Sequence, residues 1–189
     1  MWLQILLILA PLAGREVVHW RAVPRPTTAP VGKSHGGQLS AACWNLVHLA
    51  LLAWAIWGAI DHSLWLGGAI GIPLLWIAAL LRAWSYRALG EHYTITVFVR
   101  QDHALVQSGP YRWLRHPLHL GLNLEMLGLA LTRPGVVKLG LVSVCVIVLF
   151  LRNRLEERAL VDALGDSYRH YRGAAWDVID LLPVRLRGS

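Results

Sequence analysis

Long uncharged apolar blocks alternate along this chain with short polar and charged stretches, and the blocks have the length of membrane helices. Met1 to Ala13 is apolar, broken by Pro11 and followed by Gly14, Arg15 and Glu16. It falls short of the roughly 20 residues of a span, so it predicts a short first helix with room to extend to Trp20, Arg15 and Glu16 lying near the interface. A signal peptide is the competing reading, but no basic segment precedes the run and no clear cleavage pattern follows it. Residues 21–38 hold Pro24, Pro26, Pro30, Gly32, Gly36 and Gly37 and read as a loop.

Leu39 to Ile60 is uncharged throughout and predicts a span; Asp61, His62 and Ser63 form a tight turn; Leu64 to Leu81 predicts the next span. Its Gly67, Gly68 and Gly71 lie inside an apolar run with no strand before them, which favours close helix packing over a dinucleotide loop. Residues 82–117 are more polar, with a β-like run from Thr94 to Val99 and punctuation at Pro110 and Pro117. A connection this long usually carries function. Leu118–Leu131 and Gly135–Leu151 predict two shorter apolar helices joined by Thr132, Arg133 and Pro134 as a helical hairpin, and from Arg152 the chain is amphipathic and charged. The expected fold is all-α and integral to the membrane, with about five transmembrane helices, a C-terminal helical hairpin and a cytoplasmic site. The expected division is 1–81, N-terminal helices and loop, and 82–189, the functional core.

Composition agrees. Of 189 residues 56% are apolar and 15% charged, against roughly 45–50% and 25% in a soluble chain, and the mean hydropathy is +0.46. Disorder is excluded and a soluble domain disfavoured. The net charge of +7 reads as basic loops orienting spans; no basic strip interleaved with aromatics suggests nucleic acid. With five spans, loop 14–38, loop 82–117 and the tail, which hold nearly all the Lys and Arg, fall on one side, expected to be cytoplasmic. Cys43 and Cys145 sit in apolar blocks without a CxxC or a disulfide framework.

Chemistry concentrates in the polar stretch and the tail. Pro117 suits the first turn of a helix, and His116, His119 and Asn123 then form one polar stripe on an apolar helix. Such a stripe in a membrane segment calls for partners or a ligand. HxxH places two rings together, but no third ligand stands at suitable spacing, so no metal is expected. Glu125, an acid within an apolar helix, is a functional candidate; it lies about 200° around the helix from Asn123 and so faces different partners. Arg152 and Glu156 stand at i, i+4 where a span leaves the membrane. Tyr168 and Tyr171 read as interfacial aromatics.

These residues give a resemblance. Leu89-Gly90-Glu91-His92-Tyr93, the run His103–Tyr111, Arg115-His116-Pro117-Leu118-His119-Leu120-Gly121, the run Arg152–Glu157, and Leu164-Gly165-Asp166-Ser167-Tyr168-Arg169-His170-Tyr171 occur in order. The chain resembles the isoprenylcysteine carboxyl methyltransferases and the related membrane phospholipid methyltransferases over about residues 84–172. The resemblance implies an S-adenosylmethionine-dependent methyltransferase without a Rossmann domain, with S-adenosylhomocysteine as product. It places His103, Leu105, Val106, Gly109, Tyr111, His116, Pro117 and Glu156 around the cofactor, Arg152 at the substrate and Arg115 in support. His119 stands where the family usually has Tyr, and no Arg follows the last Tyr at the family spacing, so that role is unfilled or falls to Arg172.

The residues fit the chemistry so implied. Glu156 suits the cofactor ammonium, and Tyr111 suits packing on it. Arg152 suits a carboxylate acceptor, His116 or His119 a base for a hydroxyl or amine, and Glu125 a cationic amine. The expected acceptor is lipophilic, foremost the carboxylate of a prenylated cysteine or similar lipidic acid, with phospholipid amines and lipidic phenols as alternatives. A non-catalytic protein keeping the fold is the contrasting expectation. Expected partners are the acceptor and membrane lipids.

Overall fold

In the computed structural model, residues 2–23, 35–60, 66–93, 105–132 and 135–177 are described here, the side chains of 35–44, 58 and 66 excepted. They form six α-helices: α1 Trp2–Ala22, α2 His35–Ile60, α3 Leu66–Leu89, α4 Pro117–Thr132, α5 Val136–Leu164 and α6 Asp166–Ala174. Short 3-10 turns follow α3 at Gly90–His92 and precede α4 at Gly109–Arg112. No strand occurs among these residues, only an isolated parallel bridge between Leu114 and Trp176. The Thr94–Val99 run, the 61–63 turn, His103 and the Arg133-Pro134 turn lie outside the described residues.

Among the described residues three elements are long and apolar enough to cross a membrane: α1, the stretch Gly67–His92 comprising α3 and its 3-10 turn, and α5. The described part of α2 holds a shorter apolar segment, Asn45–Trp57, and α4 has 16 residues. The helices outrun their apolar blocks. α1 reaches Ala22, past Pro11. α3 runs beyond Leu81 to Leu89, and α5 beyond Leu151 to Leu164. The expected loop therefore begins later than residue 82, and the tail begins as helix. In both extensions some of the polar residues fall on the packed face, Arg82, Ser85 and Tyr86 on α3 and Asn153 and Glu157 on α5, while Arg87, Arg158 and Asp162 are exposed.

α3 and α4 pack closely because glycines meet at their crossing. A Cβ on Gly71 would come 2.6 Å from the Gly128 carbonyl oxygen and 2.9 Å from the Thr132 nitrogen. The core joins all five long helices through Ile8, Leu51, Ala55, Leu75, Met126, Leu129 and Leu149. At the far end α5 stops at Gly165, whose φ of +56° lets its N–H bond the Val161 carbonyl at 2.9 Å. That turn folds α6 back, and Tyr168, Tyr171 and Ala175 close on Leu105, Leu160, Val161 and Leu164.

Candidate functional site

The polar stretch before α4 is held from behind by the segment after α6. Arg115 N–H donates to the Trp176 carbonyl at 2.9 Å, and Trp176 N–H to the Trp113 carbonyl at 2.8 Å. The Tyr171 hydroxyl donates to the Tyr111 carbonyl at 2.7 Å and reaches that of Leu114 at 3.2 Å. Tyr168 and Tyr171 are thus buried struts of the site rather than interfacial aromatics. Burial raises the Tyr171 phenol to about 12, so it stays a donor. Gly109 has φ +60°, and a Cβ there would meet Ala88 Cβ at 2.9 Å and Trp84 Nε1 at 3.1 Å, which explains a glycine where the loop crosses α3.

Arg115, His116, Pro117 and Tyr111 are buried together. Arg115 pairs with Glu157 at 2.5 Å, and Arg172 approaches the same carboxylate at 3.9 Å. His116 Nε2 is 3.6 Å from Glu157 Oε1, within ion-pair reach but beyond a hydrogen bond. One turn on, His119 stacks on His116 with centroids 5.8 Å apart, and its Nδ1 lies 2.5 Å from Asn153 Oδ1. The sequence stripe is real, and its partner is the extension of α5. Burial disfavours the His116 imidazolium, but the carboxylates of Glu157, Glu156 and Asp177 outweigh it and raise its pKa above the ordinary 6.5.

Three buried polar atoms in this region make no hydrogen bond among the described residues: His116 Nε2, Glu156 Oε2 and Asn123 Oδ1. Buried polar atoms are ordinarily satisfied. Glu156 Oε2 lies 4.0 Å from His119 Nδ1. The fold also supplies carboxylates that spacing along the chain could not reveal. His116, His119 and Glu156 offer ligand atoms within 4.8 Å of one another, as do His116, Glu157 and Asp177. The expectation that no third ligand lies near the HxxH pair is therefore corrected, although the guanidinium of Arg115 already occupies Glu157.

Of the residues expected around one site, Tyr111, Arg115, His116, Pro117, His119 and Glu156 come together at the meeting of the loop, α4 and α5. Leu105 is half-buried against α6, Val106 is half-buried beside it in sequence, and Arg152 is half-buried on α5 one turn before Glu156. Glu125 does not join them through any described contact. It is fully buried; its Oε2 accepts from Arg15 and from Arg82 at 2.5 Å, and its Oε1 lies 3.1 Å from His48 Nδ1, within ion-pair reach. Arg15 and Arg82, which read as loop charges in the sequence, are thus interior groups. Glu157, Asn153 and Asp177 contribute without having stood out in the sequence; only the doubled acid in the Arg152–Glu157 run signals Glu157.

Known proteins align with this core. The family model described as phospholipid methyltransferase matches residues 66–167, which run from α3 to the start of α6. An uncharacterized protein of Bacillus subtilis, YpbQ, is 26% identical over 163 residues, covering 84% of this chain and 95% of that one. The protein-S-isoprenylcysteine O-methyltransferase of Schizosaccharomyces pombe is 31% identical over 116 residues, 59% of this chain and 49% of the yeast protein. The match takes in the His116 stripe, the Glu125 helix and the Glu156-Glu157 pair, on a chain whose described residues hold three helices long and apolar enough to cross a membrane. This integral membrane protein belongs to the phospholipid methyltransferase family.

Proposed function

We propose that the protein is a methyltransferase that binds S-adenosylmethionine at the His116–Glu156 site and methylates a lipophilic acceptor. The observation that carries this reading is the pair of unsatisfied buried atoms, His116 Nε2 and Glu156 Oε2, beside the buried Tyr111. A carboxylate oxygen without a donor suits the cofactor ammonium, and an imidazole nitrogen suits a polar group at its side. Tyr111 supplies an apolar face, and backbone groups at Leu105 and Val106 can hold the adenine edges. His103, outside the described residues, completes the set implied by the resemblance.

When bound, the cofactor supplies a methyl group on a sulfonium. The chain's own work is to position and desolvate, because an in-line displacement needs alignment more than acid–base help. Arg152 is assigned to the acceptor: a guanidinium can grip both oxygens of a carboxylate. The leading acceptor is therefore the carboxylate of a prenylated cysteine or a similar lipidic acid, ionised at neutral pH and needing no base. Five membrane crossings, with the basic segments, the site and the C-terminal segment on the cytoplasmic face, complete the reading.

Calorimetric titration of the detergent-solubilised protein with S-adenosylhomocysteine tests it. Saturable binding that is abolished in Glu156→Ala is expected. Folded wild-type protein that does not bind would point to a non-catalytic member of the family. Arg152→Ala should lower turnover of a carboxylate acceptor while leaving cofactor affinity in place.

A further inference from the structure

The residues gathered at the start of α4 can hold something besides a cofactor. His116 immediately precedes α4 and His119 lies in its first turn, and their rings stack with centroids 5.8 Å apart. Glu156 reaches them from α5. One nitrogen of each ring and one carboxylate oxygen lie within 4.8 Å of one another. In this trio His116 Nε2 and Glu156 Oε2 are buried atoms that make no hydrogen bond among the described residues, and His116 is only 8% exposed. The third member is already held as a ligand would be. Asn153 Oδ1 stands 2.5 Å from His119 Nδ1. An amide oxygen only accepts, so Nδ1 carries the proton and the ring is a neutral imidazole with its lone pair on Nε2. A hydrogen bond of this kind fixes the tautomer and orientation of metal-binding histidines.

Two imidazoles and a carboxylate suit zinc or a similar first-row divalent ion, and suit poorly magnesium or calcium, which take oxygen ligands. Three protein ligands are also the number zinc takes where its fourth place goes to water or a bound molecule. The neighbouring trio of His116, Glu157 and Asp177 is as compact. A cation there must compete for Glu157 with Arg115, at 2.5 Å, and with Arg172, at 3.9 Å. The geometry therefore favours the trio that uses Glu156.

We propose that His116, His119 and Glu156 bind a zinc-class divalent cation, and that this ion and S-adenosylmethionine exclude one another because both need His116 and Glu156. The metal site stands on the geometry alone; the exclusion rests on the methyltransferase reading. A bound ion closes the site to the cofactor by taking the carboxylate assigned to its ammonium. His119 stands where the resembled families usually have Tyr, so the third ligand belongs to this chain rather than to the shared core.

The test uses the full-length protein in detergent, stripped of metal with a chelator and shown to be folded by its thermal melt. Zinc is titrated calorimetrically into wild type, His119→Tyr, Glu156→Gln and Asn153→Leu, with magnesium as the control ion, and S-adenosylhomocysteine is then titrated with and without zinc. Wild type should bind zinc saturably and give no response to magnesium. His119→Tyr and Glu156→Gln should lose that binding, and Asn153→Leu should weaken it roughly tenfold to a hundredfold, the span of a lost outer hydrogen bond. In wild type the apparent Kd for S-adenosylhomocysteine should rise roughly tenfold at zinc about ten times its own Kd; in His119→Tyr zinc should not move it. No saturable zinc binding by wild type, or unchanged zinc affinity in either folded ligand variant, overturns the site. Zinc that binds there without shifting the S-adenosylhomocysteine Kd overturns the exclusion. Zinc-free wild type that does not bind S-adenosylhomocysteine overturns the methyltransferase reading and the exclusion with it, while the zinc titration decides the metal site on its own.

Discussion

Replacing Gly71 by alanine tests the packing on which the site stands. The added methyl would sit 2.6 Å from the Gly128 carbonyl oxygen, 2.9 Å from the Thr132 nitrogen and 3.2 Å from Thr132 Cγ2. The first two neighbours are backbone of α4, so no side-chain rotation relieves the clash and the helices must separate. Overpacking costs about 1–3 kcal/mol, and contact with rigid backbone puts this substitution at the upper end. At about 2–4 °C per kcal/mol for a chain of this size, Gly71→Ala should lower the apparent Tm in detergent by roughly 4–12 °C. Gly140→Ala is the internal control. Gly140 lies within α5, and a methyl added there would meet nothing inside 4 Å, so alanine should leave Tm unchanged or raise it slightly through helix propensity. The two variants are compared by thermal denaturation of purified protein at equal detergent. Equal melting of Gly71→Ala and Gly140→Ala would refute the close crossing of α3 and α4.

Glu125→Ala leaves the buried Arg15 and Arg82 without their shared counter-ion and should destabilise by about 3–5 kcal/mol, seen as a Tm fall larger than that of Gly71→Ala; a wild-type melt would count against the cluster. Tyr171→Phe removes the donor to the Tyr111 and Leu114 carbonyls and should cost about 1–3 kcal/mol, with weaker S-adenosylhomocysteine binding in the same titration. His116, with a raised pKa, stabilises the fold as an imidazolium below about pH 6.5, and that contribution fades as pH rises through its higher folded value. A ligand ammonium at Glu156 weakens the field holding that proton, so S-adenosylhomocysteine binding should release protons and tighten as pH rises above 6.5. Binding heats that do not vary with the ionisation heat of the buffer would refute this.

Whatever depends on local periodicity is legible in the sequence. Gly71, inside an apolar run, reads as a packing residue and meets α4 closely. The His116–His119 stripe has a polar partner, and Glu125, placed by helix geometry on another face, bonds to α1 and α3 and lies within ion-pair reach of His48 on α2 instead. What stays hidden depends on partners distant along the chain. Arg15 and Arg82 look like loop charges until Glu125, 110 and 43 residues away, is seen to neutralise them. The helical extensions past Leu81 and Leu151 are masked because apolar content, which marks a span, stops before the helix does. Glu157 and Asp177 carry no local mark of their convergence on His116.

The backbone exchange between Trp113, Arg115 and Trp176 bears on biogenesis. During synthesis every apolar helix, α5 included, leaves the ribosome before Trp176 does. The bundle can therefore enter the lipid phase while the loop ahead of α4 is still unclasped, and the strap that fixes Arg115 and Tyr111 forms only after the last helix has emerged. Insertion of the helices therefore need not wait for the strap, and the fixing of Arg115 and Tyr111 is the later event in chain order.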